Sequence, residues 1–229
     1  MRRHAAPAAA ALALALALSA CGGGGHGPQP GQALSEAKQH LDQTQGVHFA
    51  LTSSGVPSGV TTVTAADGIL TRAPAFEGSI TVPVHGLSVK VSVISVGGKT
   101  WAKLPFVPVY QPINPSDYGA PDPGTLLDPN TGISSLLPAT TGVSAGSSQR
   151  GGEGNRSVLT DYHGTVPGAT VAHVIPGSSG DFAATYTIDD QGYLSQAALT
   201  GHFNGGGQPA STYTVTVSDY GTTQQISPP

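Results

Sequence analysis

Charge is scarce in this chain. Nine Lys and Arg and thirteen Asp and Glu make up about 10% of its 229 residues, and so few cations cannot build the basic face that nucleic acid requires. Cysteine is scarcer still. Cys21 is the only one, so it has no partner for an intramolecular disulfide and no companions for a thiolate metal site. The eight histidines are His4, His26, His40, His48, His85, His163, His173 and His202. They form no HExxH or other tight ligand pair, and neither a nucleophile elbow nor a phosphate-cradling GxxxxGK(S/T) loop is read from the sequence. A spanning helix is missing too: the most apolar stretch, Ala8–Leu18, has eleven residues, against the roughly 20 that cross a bilayer. These absences exclude nucleic-acid binding, argue against an enzyme and a metal site, and give no reason to expect a cofactor.

What is present begins with a targeting segment. Met1-Arg2-Arg3-His4 is a basic n-region, Ala8–Leu18 an apolar h-region, and Ser19-Ala20 are small residues that suit cleavage. Residues 1–20 read as a signal peptide. Leu18-Ser19-Ala20-Cys21 also resembles a bacterial lipobox, and the resemblance implies cleavage before Cys21 and its diacylation. A lone thiol at that place is better explained as a lipid attachment point than as a stray residue. Each buried acyl CH₂ contributes about 0.8 kcal/mol, so two or three chains hold a protein firmly on a membrane. The expected location is the cell membrane, lipid-anchored on its extracytoplasmic side. Cleavage leaves seven cations against thirteen acids, a net charge of −6. Gly22–Gly31 (GGGGHGPQPG) offers no side chain to a core; residues 21–31 read as the lipidated cysteine and a tether of about 15–20 Å r.m.s. length. Residues 32–229 then read as one domain, with no further linker of this kind.

Within that domain, Gln32–Gln45 puts Ala33, Leu34, Ala37 and Leu41 on one stripe, which predicts an amphipathic helix ended by Gly46. Alternating strands are predicted around Val47, Phe49 and Leu51, around Ile80, Val82 and Val84, and around Val89, Val91 and Val93. Gly97-Gly98 is a two-residue hairpin turn into Lys99–Leu104. Pro105–Gly124 holds six prolines and no periodicity, the pattern of a long surface loop. The next stretch, Thr125–Thr140, organises the rest. Ile133, Leu136 and Leu137 recur at helical spacing, Asp128-Pro129 reads as a helix start, and Pro138 limits the far end. It predicts a short apolar helix between two β-meanders, a lid on the sheet face. Further strands are predicted over Val158–Val166, Phe182–Ile188, Leu194–Phe203 and Tyr213–Val217, with a short helix at Pro167–Val174 and a turn at Asp189–Gly192. The count is about nine, antiparallel, with one apolar and one wet face.

Nine strands at about 4.8 Å make a sheet about 43 Å wide, and two helices about 10 Å across cover roughly half of it. The uncovered apolar face has three outcomes: the sheet curls on itself, a protein partner covers it, or an apolar ligand fills it. The inward candidates Ala184, Gly164, Ala197, Gly201 and Val215 are small, which tends to leave a cavity.

The lipobox, the Gly-rich tether and the segments VHFALTSSG, FEGSITVPV, GGKTWAKL and above all LLDPNTGISSLL are similar to the LppX/LprG family of mycobacterial lipoproteins. DYHGTVPGATVAHVIPG, TIDDQGYLSQAALTG and VTVSDYG continue the likeness over almost all of the mature chain. The resemblance implies an α+β fold: a strongly bent antiparallel half-barrel with a few helices over its concave apolar face. It also implies a carrier of acylated lipid or glycolipid across the cell envelope, with a membrane transporter as a candidate partner. Ile80, Val82, Val84, Val89, Val91 and Val93 would then line the lipid cavity from the sheet, and Ile133, Leu136 and Leu137 from the covering helix. Pro138 departs from the expected pattern by shortening that helix. The rival reading is an envelope scaffold that uses the same face for a protein partner.

If Cys21 carries the lipid, Cys21→Ala moves the protein out of the membrane fraction. A variant still cleaved after Ala20 and still membrane-bound would show the lipobox reading to be wrong.

Overall fold

The computed structural model describes residues 29–84 and 86–229; Cys21, the signal peptide and most of the tether lie outside the described residues. The first element, α1 (Pro30–Gln43), begins with Pro at a first-turn position, where its missing N–H costs nothing. Its buried residues are Ala33, Leu34, Ala37 and Leu41, the stripe seen in the sequence. The helix stops sooner than expected. Thr44 is already extended and its hydroxyl donates to Gly46 O at 2.8 Å. Gly46 is instead the first residue of a strand, where a Cβ would lie 2.6 Å from Thr222 O and 2.7 Å from Leu70 O.

Eleven antiparallel strands follow: β1 (Gly46–Ser54), β2 (Ala65–Thr71), β3 (Ala75–Val84), β4 (Leu87–Val96), β5 (Lys99–Lys103), β6 (Gln111–Ile113), β7 (Thr141–Gly151), β8 (Ser157–Val166), β9 (Ser179–Asp189), β10 (Leu194–His202) and β11 (Ser211–Ser218). They form one sheet in the order β6-β5-β4-β3-β2-β1-β11-β10-β9-β8-β7, which does not close. Two meanders are thus joined through β1 and β11, with Phe49 opposite Val217 and Leu51 opposite Val215. The sequence reading counted too few strands because β2 (AADGILT), β6 (QPI) and β7 (TGVSAGSSQRG) carry no alternation of large apolar residues. Pairing with a neighbour, not their own pattern, makes them strands. The two edges resist further pairing: β6 has three residues, one of them Pro112, and β7 has two register shifts.

Glycines set the bend. Gly68 and Gly78 face each other across β2 and β3, and a Cβ on either would meet the other glycine and the Phe76 ring. Gly201 lies in the same way under the Phe182 ring. In both places an aromatic ring occupies the space a side chain would take. Gly97 and Gly98, at φ 59° and 76°, make the expected two-residue hairpin turn.

The helix expected to start at Asp128-Pro129 is not formed there. The segment folds as short 3₁₀ turns at Pro115–Tyr118, Pro123–Thr125 and Ile133–Ser135, then a single helical turn, α2 (Leu136–Ala139). Asp128 Oδ1 accepts from Asn130 N at 2.8 Å and Thr131 N at 2.9 Å, which folds a local turn in place of a helix start. These two backbone donors hold the Asp128 carboxyl below its ordinary pKa. Polar contacts then fasten the segment to α1. Lys38 Nζ donates to Pro129 O at 2.8 Å and pairs with Asp42 at 2.8 Å, while Ser134 Oγ donates to Asp42 Oδ1 at 2.7 Å. Arg72 bonds Leu41 O and Leu127 O, and Thr44 O at 3.3 Å. The last helix, α3 (Gly168–Val174), buries Val171 and Val174; Pro167 caps it and is not its first residue.

Because a side chain at 78 meets backbone and a packed ring, Gly78→Ala should cost about 1–3 kcal/mol and lower the melting temperature by several degrees. Thermal unfolding followed by circular dichroism checks this; an unchanged midpoint would mean that the bend does not depend on the glycine pair.

Candidate functional site

The concave face and its cover do not meet completely. Between them lies a cavity of about 140 Å³ with an open mouth. It is therefore a narrow slot. Phe49, Leu51, Ala66, Phe76, Ile80, Val93, Ala197, Leu199 and Val215 form the sheet side. Leu126, Ile133, Leu136, Leu137, Val174 and Ile175 form the cover side, and Tyr118–Pro121 with Asn204 form part of the rest.

None of the lining residues carries a charge. Three hydroxyls on the wall are paired within the protein: Thr62 Oγ1 lies 3.1 Å from the Tyr213 hydroxyl, and the Tyr186 hydroxyl 2.9 Å from Thr140 Oγ1 behind it. Burial raises the Tyr213 hydroxyl above its ordinary pKa and pushes that of Tyr186 up to about 12. Asn204 is different. Its Nδ2 is buried without a hydrogen-bond partner among the described residues, as are Ser179 Oγ and Ser211 Oγ, which flank the same ends of β9 and β11.

The structure brings together five of the residues expected on the wall: Ile80, Val93, Ile133, Leu136 and Leu137 all line the slot. It places the other four elsewhere. Val82, Val84, Val89 and Val91 share the face of Ile80 by register, with Ile80 opposite Val91 and Val82 opposite Val89. Val82, Val84 and Val89 continue past Thr81, where the β2 ladder ends, and neither they nor Val91 line the slot. Val82 and Val91 are buried, Val89 is half-buried and Val84 exposed. Of the small inward candidates, Ala197 and Val215 reach the cavity, whereas Ala184 is packed in the core and a Cβ on Gly201 or Gly164 would strike Phe182 or Thr140. Phe76 and Asn204 were missed: the first for lack of strand alternation before Ile80, the second because a lone Asn beside a glycine run reads as a turn.

The features that would mark catalysis lie away from the slot. Among the described residues no three potential metal ligands cluster. His163 Nδ1 is 3.1 Å from Thr185 Oγ1 and His202 Nδ1 is 2.8 Å from Gln208 O; His163 is exposed, His202 half-buried, and both are off the cavity wall. Gly142-Val143-Ser144-Ala145-Gly146 does spell G-x-S-x-G, which the sequence reading passed over. It is an exposed part of edge strand β7 and not a strand-to-helix elbow. Ser144 stands opposite His163 in the ladder but shares no hydrogen bond with it. Asp189 Oδ1 accepts from Gln191 N and Tyr193 N at 2.9 and 2.8 Å, so Asp189-Asp190 is a turn pair as read.

A family model described as LppX_LprAFG lipoprotein matches residues 29–226. Two solved structures share the architecture. LprF from Mycobacterium bovis superposes with a TM-score of 0.70 at 16% identity, covering 89% of this chain and 98% of that one. The lipoprotein LppX from Mycobacterium tuberculosis gives a TM-score of 0.62 at 17% identity, covering 86% and 97%. At these identities the likeness is one of fold. No curated protein matches the chain in sequence.

Tyr186 supplies a pH prediction. Its hydroxyl titrates near 10 when unfolded and about 12 when folded, so the folded state holds the proton more tightly. Its contribution is complete below pH 10 and is lost as pH rises towards 12. Unfolding midpoints should fall across that window, and Tyr186→Phe should flatten the fall; an identical slope in both proteins would remove Tyr186 from the buried wall.

Proposed function

The chain belongs to the LppX_LprAFG lipoprotein family, and from that premise we propose that its slot holds the acyl chains of a lipid or glycolipid that the protein carries across the cell envelope. The observation that supports this most is the uncharged wall. A slot without a fixed charge cannot pay for burying an ionised group, but it desolvates methylene chains at about 0.8 kcal/mol each. The narrow width suits extended chains. The bound lipid then brings a polar oxygen to Asn204, whose buried amide on the cavity lining is a donor without an acceptor. An ester carbonyl or a sugar hydroxyl oxygen fits that donor.

In this reading Ile80, Val93, Ile133, Leu136 and Leu137 contact the chains, and the cover moves outward to admit them. Cys21 anchors the carrier on the extracytoplasmic side, and the tether gives it reach. Among the described residues no helix is long and apolar enough to cross a membrane, so the proposed attachment rests on the lipid.

A side chain that fills the slot separates a lipid site from an ordinary core. Ala197 is half-buried on the wall between Tyr186 and Val215. In a close-packed core Ala197→Trp would overpack by about 1–3 kcal/mol or more; in an open slot the ring takes the place of ligand. Binding of a fluorescent polyene fatty acid should be lost in Ala197→Trp while the melting temperature stays within a few degrees of the parent. A parent that binds no probe, with a variant that melts early, would instead favour a filled core and the scaffold reading.

A further inference from the structure

The large apolar side chains that the described residues leave exposed are Val84, Leu87, Leu104, Phe106 and Val109. Two are at the β3–β4 hairpin, and three are in the loop by which β5 leaves the sheet on the same side. Val84 and Leu87 flank the β3–β4 hairpin tip and pair with each other. β5 runs towards the same end, with Lys103 opposite Ser92, so Leu104 emerges level with Val91; the loop carrying Phe106 and Val109 then returns to Gln111.

Phe106 is held there against its preference. Val107 N donates to Leu104 O at 3.1 Å, closing a four-residue turn with Pro105 second and Phe106 third. The third residue has φ 66°, a position that normally takes Gly, where a bulky side chain is an outlier. No packing compensates, since Phe106 is fully exposed at 105%. An exposed ring kept in a strained turn has its use outside the folded chain.

The charge around this end is one-sided. From Gly78 to Ser116 the chain has three lysines and no Asp or Glu, although acids outnumber cations overall; Lys90 and Lys103 lie on the tip side of β4 and β5, Lys99 at the opposite hairpin. Lys90, three residues from Leu87, and Lys103, level with Ser92, are exposed on the face opposite Val89 and Val91. Apolar side chains at the tip with cations behind them complement an anionic bilayer surface, whose interior takes the first and whose headgroups take the second.

We propose that the β3–β4 hairpin and the Leu104–Val109 turn form a membrane-docking surface. Leu87 and Phe106 enter the boundary between headgroups and acyl chains, and Lys90 and Lys103 meet anionic headgroups. The docked tip is continuous with the slot: Val84 and Leu87 lead to Val82 and Val89, and these to Ile80 and Val91, Ile80 being on the cavity wall. That strip gives an acyl chain an apolar path between bilayer and slot. The path rests on the proposed lipid function; the docking itself does not.

The test uses the full chain with vesicles of brominated phosphatidylcholine and phosphatidylglycerol. Tryptophan is placed at 106 (Phe106→Trp, Trp101→Phe) or, as a control on the far edge strand, at 149 (Gln149→Trp, Trp101→Phe). Both proteins carry the same N-terminus, so only local insertion separates them. Emission from 106 should be quenched more strongly than from 149, at an insertion depth of about 5–10 Å. Lys90→Ala and Lys103→Ala should each weaken association roughly five-fold, and added salt should mimic them. Phe106→Gly should lower association while melting at the same temperature or higher, which a structural role for the ring would not allow. Equal quenching at both positions would overturn the proposal. So would a dimer that Leu87→Asp with Phe106→Asp dissolves, because the patch would then be covered by a second copy. Loss of fatty-acid binding to the slot leaves these readouts unmoved, so the two readings fail separately.

Discussion

An antiparallel sheet of eleven strands whose edges never meet has one broad concave apolar face, and the rest of the molecule is arranged to keep water off it. α1 contributes the stripe from Ala33 to Leu41, and the cover and α3 contribute Leu136, Leu137, Val171 and Val174. Three helices of fourteen, four and seven residues cannot tile such a face. Bending the sheet reduces what must be covered, which is where the glycines under Phe76 and Phe182 act. Complete closure would leave no opening along the sheet edges. The terminal strands β6 and β7 oppose it, being short and proline-bearing in one case and interrupted by register shifts in the other.

The cover is fastened mainly through polar groups. Arg72, at the β2–β3 turn, binds carbonyls from the end of α1 and from Leu127, and so joins sheet, helix and cover. Hydrogen bonds from a charged donor contribute more than neutral ones, about 1.5–3 kcal/mol each. The partly buried Lys38–Asp42 pair, still solvent-screened, contributes less, about 0–1 kcal/mol, but it orients Lys38 towards Pro129 O and Asp42 towards Ser134. Gly132 is needed for close approach, since a Cβ there would lie 2.6 Å from Asp128 O. The LDPNTG segment thus works as a fastening between α1 and the cover, while Ile133, Leu136 and Leu137 just after it face the slot.

Much of this was legible in the sequence, for identifiable reasons. The stripe Ala33, Leu34, Ala37, Leu41 has helical spacing, and Val89, Val91, Val93 alternate cleanly, so burial on one side is the only way to place them. The Asp-Pro pair reads as a helix start because an Asp makes an Asx turn or a helix N-cap with the same side-chain oxygen; Asp128 makes the turn. β2 and β7 escaped because small residues carry no pattern, and their conformation is dictated by neighbours distant in sequence. Alternation gave the shared face of Ile80, Val82, Val84, Val89 and Val91 but not how far the cover extends along it. Depth along a strand depends on where the adjacent strand ends, and the end of β2 at Ala65 has no sequence signature.

The central claim is that the slot is a lipid site and not an imperfectly filled core. Extraction of the purified protein with organic solvent, followed by mass spectrometry of the extract, addresses it without choosing a ligand beforehand. The account predicts an acylated lipid released in near one-to-one ratio with protein. Its neutral chain region would be shielded from lipase before extraction and exposed after unfolding. Repeated preparations that yield no lipid, from protein that also takes none up on incubation with vesicles, would contradict it.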